Sequence, residues 1–172
     1  MQPKKTQSEN PDFRSLVARL DAELAARDGE DHAFYNQFNG VEALGRVVVL
    51  YNGAVPAGCG ALKPFGEDAV EIKRMYTLPA HRGRGVASRV LKELEAWARE
   101  DGFSRVVLET GKRQPEAIAL YEKHGYLRIP NYPPYEGVDN SVCFEKRFGR
   151  LQPEAPEGRE APGGGSSGNP EQ

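Results

Sequence analysis

The sequence predicts one mixed α/β domain, a sheet joined by crossover helices. Three observations lead there. Residues 47–77 hold three consecutive β-type runs separated by turn residues. Residues 85–148 then alternate helical and extended patterns. And 172 residues with only two cysteines are enough to build a core without disulfide staples.

The elements follow in order. Residues 1–10 are polar and read as a flexible lead with no strand. Asn10 or Asp12 caps a helix that begins near Pro11, carries Phe13, Leu16, Val17, Leu20 and Leu24 at helical spacing, and closes at Gly29. His32 to Phe38 reads as a short helical or irregular piece. Val47 to Tyr51 is a strand, Asn52-Gly53 a hairpin turn, and Ala54 to Leu62 the return strand. Pro56, Gly58 and Gly60 weaken that return strand or mark a bulge. Val70 to Thr77 is a third strand that ends before Pro79.

A helix from about Gly85 to Glu100 follows, its apolar face built from Val86, Val90, Leu91, Leu94, Trp97 and Ala98. Arg105 to Leu108 is a strand, Pro115 to His124 a helix, Tyr126 to Ile129 a strand, and Ser141 to Phe148 an alternating last strand. The domain therefore spans residues 11–150. Residues 151–172 are almost all Pro, Gly, Glu and Ser, and read as a disordered tail.

Charge and composition exclude several functions. The net charge is −2; the tail carries one Arg and four Glu, which leaves the other 150 residues near +1. A non-specific nucleic-acid binder needs a larger basic excess, so no nucleic-acid partner is expected. Cys59 and Cys143 sit in no metal-ligand spacing, so no metal is expected. No apolar h-region opens the chain, and no apolar run approaches the roughly 18 residues of a membrane span. A cytoplasmic protein without membrane contact is the expectation.

The chemistry concentrates in His81-Arg82-Gly83-Arg84-Gly85-Val86-Ala87, between a strand and the strongest helix. Glycines let a backbone approach a ligand closely, and a helix N-terminus offers free N–H groups and a positive dipole end. A phosphate or pyrophosphate is the implied ligand. A Rossmann loop is one candidate, with Glu109 as the ribose acid, but Ser88 replaces its third glycine. The strand before it also carries Glu71, Lys73 and Arg74, which a doubly buried Rossmann strand would not. The loop is also compatible with a plain solvated turn.

Residues 82–87 resemble the [QR]-x-x-G-x-[GA] pyrophosphate loop of the GNAT superfamily of N-acetyltransferases. Glu71 to Pro79 resembles that family's fourth strand and the proline leading into the loop. Gln114 to Tyr126 is similar to its N-x-x-A-x-x-L-Y-E-x-x-G-[FY] signature, with Gln114 in place of the usual Asn. The resemblance covers about residues 11–148. It implies a single α/β domain whose mostly antiparallel mixed sheet is splayed between its fourth and fifth strands and flanked by helices.

It also implies acetyl-CoA as co-substrate and an amine of a small molecule or peptide as acceptor, joined in a ternary complex, and it allows a homodimer. Met75, Tyr76 and Thr77 would bind the pantetheine arm through their backbone, as an added strand does. Arg82, Gly83, Arg84, Gly85, Val86 and Ala87 would hold the pyrophosphate mainly through N–H groups, and Gln114 would contact the arm. Tyr121 would be both cofactor contact and general acid, since a phenol is protonated at pH 7; alternatively it is a core aromatic.

Glu71 is the candidate base, directly or through water; alternatively it pairs with Lys73 or Arg74. Lys73, Arg74 and Arg113 are placed to receive an acidic acceptor, or are simply exposed. Residues 131–140, with Tyr132 and Tyr135, are a candidate wall of the acceptor pocket. A non-catalytic acyl-CoA-binding module and a nucleotide-dependent oxidoreductase are the rival classes.

Overall fold

The computed structural model describes residues 1–29 and 43–149. The expected piece at 32–38 and the expected disordered tail lie outside them. The elements are β1 (Gln2–Thr6), α1 (Pro11–Asp28), β2 (Arg46–Asn52), β3 (Val55–Phe65), β4 (Ala69–Thr77), α2 (Val86–Glu100), β5 (Arg105–Gly111), α3 (Pro115–Lys123), β6 (Leu127–Ile129) and β7 (Ser141–Arg147). The seven strands form one sheet in the order β1-β2-β3-β4-β5-β7-β6. Only β4 and β5 pair in parallel; the other pairs are antiparallel.

Strand alternation sorts the core into two layers. Val47 and Val49 face α1, where they meet Phe13, Leu16, Leu20, Cys59 and Ala61. Val48 and Leu50 face the other side, with Leu62, Val70 and Ile72, and pack on Val86, Val90, Leu91 and Leu94 of α2. All four β2 side chains are fully buried, which is why that strand reads as an unbroken apolar run. The Asn10 side chain caps α1, accepting from the N–H of Asp12 and of Phe13 at 2.8 and 3.0 Å.

Three strands depart from expectation, one of them β3, which runs on to Phe65, three residues past Leu62. The flexible lead instead contains β1, whose residues 2–6 pair antiparallel with residues 51–47 of β2. An edge strand is held by main-chain hydrogen bonds and buries little, so its polar sequence carries no apolar signal. β5 runs three residues past Leu108, because β7 pairs with it all the way to Gly111 opposite Ser141.

Gly58 and Gly60 have a packing role. A Cβ on Gly58 would lie 2.5 Å from Val86 Cγ1 and 2.9 Å from the Tyr76 carbonyl oxygen. The bare backbone lets α2 sit close against β3, and this sets where the N-terminus of α2 points. Gly58→Ala is expected to lower stability by about 1–3 kcal/mol, the usual cost of overpacking. Gly45→Ala, where an added Cβ meets nothing within 4 Å, should change it little. Urea denaturation of both variants checks this.

Candidate active site

β4 and β5 pair only from Ala69↔Arg105 to Glu71↔Val107. Beyond that point β4 stays on β3, Thr77 opposite Gly58, while β5 stays on β7. The two strands part, and each presents backbone N–H and C=O groups to the gap. Such groups require a partner when water is excluded, and an extended ligand arm supplies one.

A bulge re-aims β4 inside this gap. Cys59 pairs with Tyr76 and Ala61 with Lys73, so Gly60 alone stands opposite Arg74 and Met75. Arg74 takes φ 62°, a left-handed conformation disfavoured for a side-chain-bearing residue. It is held there from α1: its side chain is only 9% exposed, and its guanidinium meets Asp21 Oδ1 at 2.7 Å. Cys59 Sγ donates to the Arg74 carbonyl at 3.4 Å.

The glycine loop closes one end of the gap. Gly83 and Gly85 both have φ of 80°, and a Cβ at either would meet nothing within 4 Å. Gly85 is the N-cap of α2 and offers no side chain, so the first N–H groups of that helix face open space. The arginines do not point to the same ligand. Arg82 donates from Nε to Thr77 O at 3.0 Å and pairs with Glu23 at 2.9 Å. Glu23 also accepts from the Tyr76 hydroxyl, and together these two partners hold its carboxyl below the usual range against the opposing effect of burial. Arg84 is exposed and lies outside the cleft lining.

Met75, Tyr76, Thr77, Arg82, Gly83, Gly85, Val86, Ala87, Gln114, Tyr121 and Glu71 all line one cleft of about 620 Å³. Of the residues expected to bind the cofactor or act in catalysis only Arg84 stands outside it; of those expected beside the acceptor, Lys73, Arg74 and Tyr135 line it and Arg113 and Tyr132 do not. Gln114 precedes α3, and its side chain does not cap that helix.

Tyr121 projects from α3 with its ring edge-on to Tyr126, centroids 5.6 Å apart. The ring is packed in the core and also lines the cleft. Its hydroxyl has no hydrogen-bond partner among the described residues. Burial, with the nearby Glu109 charge, pushes its pKa well above the ordinary phenol value.

Glu71 stands where the strands part and is only 7% exposed. Arg74 is committed to Asp21, and Lys73 forms no ion pair with it among the described residues. The Tyr132 hydroxyl takes that place instead, donating to Glu71 Oε2 at 2.8 Å. Burial and then the Glu71 charge push Tyr132 upward in turn. The 131–140 loop therefore does form a wall: Tyr135 and Asn140 line the cleft, and Asn131 Nδ2 ties the loop to the carbonyls of Tyr135 and Ser141 at 3.1 Å each.

Glu109, weighed in the sequence only as a ribose acid, also lines the cleft and accepts from Ser141 Oγ at 2.7 Å. The available signal was a carboxylate directly after the apolar run of residues 106–108. Among the described residues no His, Cys, Asp or Glu group suits a metal, and no helix is long and apolar enough to cross a membrane.

Residues 7–126 match the family described as Acetyltransferase (GNAT) family. The chain belongs to the GNAT family. It is 36% identical over 102 residues to an IAA acetyltransferase of Azospirillum brasilense, covering 59% of this chain and 67% of that one. It is 44% identical over 84 residues to the uncharacterized N-acetyltransferase YjgM of Escherichia coli, covering 48% and 50%. The match thus spans about half to two thirds of these relatives' lengths.

Among solved structures, a Klebsiella pneumoniae chain described as an acyl-CoA N-acyltransferase superposes with TM-score 0.71 at 29% identity, over 85% of this chain and 96% of that one. A GNAT family acetyltransferase of Elizabethkingia anophelis with acetyl-CoA bound shares the fold, with TM-score 0.60 at 17% identity, over 86% and 97%. The parted strands and the glycine loop lie within the residues that match the GNAT family.

Cys59 and Cys143 are free and buried, and burial pushes their thiols up to about 12 and about 11. Both should remain protonated at pH 8, where only a thiolate reacts quickly. Iodoacetamide at pH 8 is expected to leave the folded protein unlabelled and to label two thiols after denaturation, as mass spectrometry would record.

Proposed function

We propose that this chain is an N-acetyltransferase that moves an acetyl group from acetyl-CoA directly to a primary amine in a ternary complex. The observation that carries this reading is one cleft lined by the bare-backbone loop, by Glu71 and by Tyr121. The residues fit the donor. Open space lies above Gly83 and Gly85 at a free helix N-terminus, and the gap between β4 and β5 is lined by unpaired strand edges.

Acetyl-CoA supplies an activated thioester when bound. The backbone of residues 75–77 would hold its arm and aim an N–H at the thioester carbonyl oxygen, where charge develops during attack. Residues 82–87 would bind the pyrophosphate through N–H groups, since Arg82 is already tied to Glu23 and Thr77. Gln114, with a side chain free of helix capping, would contact the arm.

The acceptor amine must lose a proton, and Glu71 would take it directly or through water. Tyr132 supports this role by donating to one Glu71 oxygen and leaving the other for the amine. Tyr121 would return a proton to the departing sulfur. Burial keeps its hydroxyl protonated at neutral pH, the form that can donate. Two free cysteines suit a reducing, cytoplasmic setting.

Acetyl-CoA is expected to raise the melting temperature, and NAD is not. Gly85→Glu, folded by circular dichroism, should lose that shift, because its carboxylate would stand where the pyrophosphate goes. Equal stabilisation by NAD, or an unchanged shift in the variant, refutes the site.

Tyr121→Phe removes only a hydroxyl without a partner among the described residues, so its melting temperature should hardly move. Turnover should fall by about 10²-fold or more if the hydroxyl is the acid. Full turnover in the folded variant would leave the ring as a packing element alone.

A further inference from the structure

The charges along the cleft narrow the identity of the acceptor. Its lining holds the cations Arg27, Lys73, Arg74, Arg82 and Lys123. Three are already neutralised: Arg27 by Glu116 at 3.6 Å, Arg74 by Asp21 at 2.7 Å and Arg82 by Glu23 at 2.9 Å. Lys73 and Lys123 have no ion pair among the described residues.

The two ammonium groups come from different elements. Lys123 is on α3, where the next residue, His124, meets Ser88 Oγ in the first turn of α2 at 2.9 Å. Lys73 belongs to the fork. It lies two residues after Glu71 on β4, on the same face of the strand and roughly 7 Å along it.

Lys73 is half-buried. An ammonium that lines a cleft without a carboxylate partner is available to an anionic ligand group, with which it makes a charge-assisted contact stronger than a neutral one. Arg74, the other cation beside the fork, cannot serve, since Asp21 occupies it and it pins the bulge.

We propose that Lys73 binds an anionic group carried by the acceptor. The acceptor is then a small zwitterion: a primary amine at the fork, beside Glu71, with a carboxylate or phosphate a few bonds from its nitrogen. The flexible four-carbon arm of the lysine lets its ammonium meet anions over a range of such spans. This rests on the acetyltransferase reading, which places the reacting amine at the fork.

The test is calorimetric binding to the full-length protein saturated with CoA, so it does not require turnover. The probes are the amino acids against their amides, and phosphoethanolamine against ethanolamine, which separates a carboxylate from a phosphate. At least one anionic amine should bind about 10-fold or more tightly than its uncharged counterpart, the usual worth of a charge-assisted contact. Lys73→Met should erase that preference and Lys73→Arg should keep it. For any acceptor that turns over, Lys73→Met should raise KM with kcat little changed.

The proposal is overturned if no anionic amine outperforms its counterpart, or if the preference survives in Lys73→Met. Failure of the acetyltransferase reading looks different: acetyl-CoA would then fail to raise the melting temperature of the unmodified protein.

Discussion

The separation of two parallel strands organises this molecule. β4 and β5 share three residue pairs and then part, because each remains bonded to its other neighbour, β3 or β7. A continuous sheet would have satisfied every backbone group and left no room for a ligand. The gap leaves two strand edges that only another extended chain can complete. The bulge at Arg74 and its tie to Asp21 hold β4 in this bent course.

Packing on both faces keeps the gap open. α1 covers one side of β2, β3 and β4, and α2 covers the other. The missing Cβ at Gly58 brings α2 against the end of β4, so its N-terminus arrives at the mouth of the cleft. The loop before it needs positive φ at Gly83 and Gly85, and it turns without side chains in the way. The phosphate end is therefore made of backbone, positioned by helix packing.

The other end is made of paired side chains. Glu71 is buried against the Tyr132 hydroxyl, and the partly exposed Glu109 accepts from Ser141. Both hydroxyls come from the segment that follows α3, so the 131–140 loop and the start of β7 complete what β4 and β5 begin. An ionised carboxylate buried without such donors would be costly, and these contacts let the acids sit deep in the cleft. Arg82 and Glu23 make a comparable pair nearer the loop, tying α1 to the end of β4.

The sequence by itself determined the element types, the helix caps and the glycine loop, because these depend on local pattern. Asn10 before Pro11, the apolar run of residues 47–50, and glycines 83 and 85 ahead of an amphipathic helix need no distant partner to be legible. The ordered motifs around Glu71, Gly85 and Tyr121 also pointed to one site. Only the tertiary structure decided what meets what. β1 was hidden because an edge strand bonds through its backbone and has little apolar surface to betray it. Arg82 read as part of a phosphate loop and Arg74 as a partner of Glu71 or of an acidic acceptor until α1 supplied Glu23 and Asp21. Tyr132 beside Glu71 joins residues 61 apart in the chain. Such contacts depend on strand register and helix docking, which no local window of sequence contains.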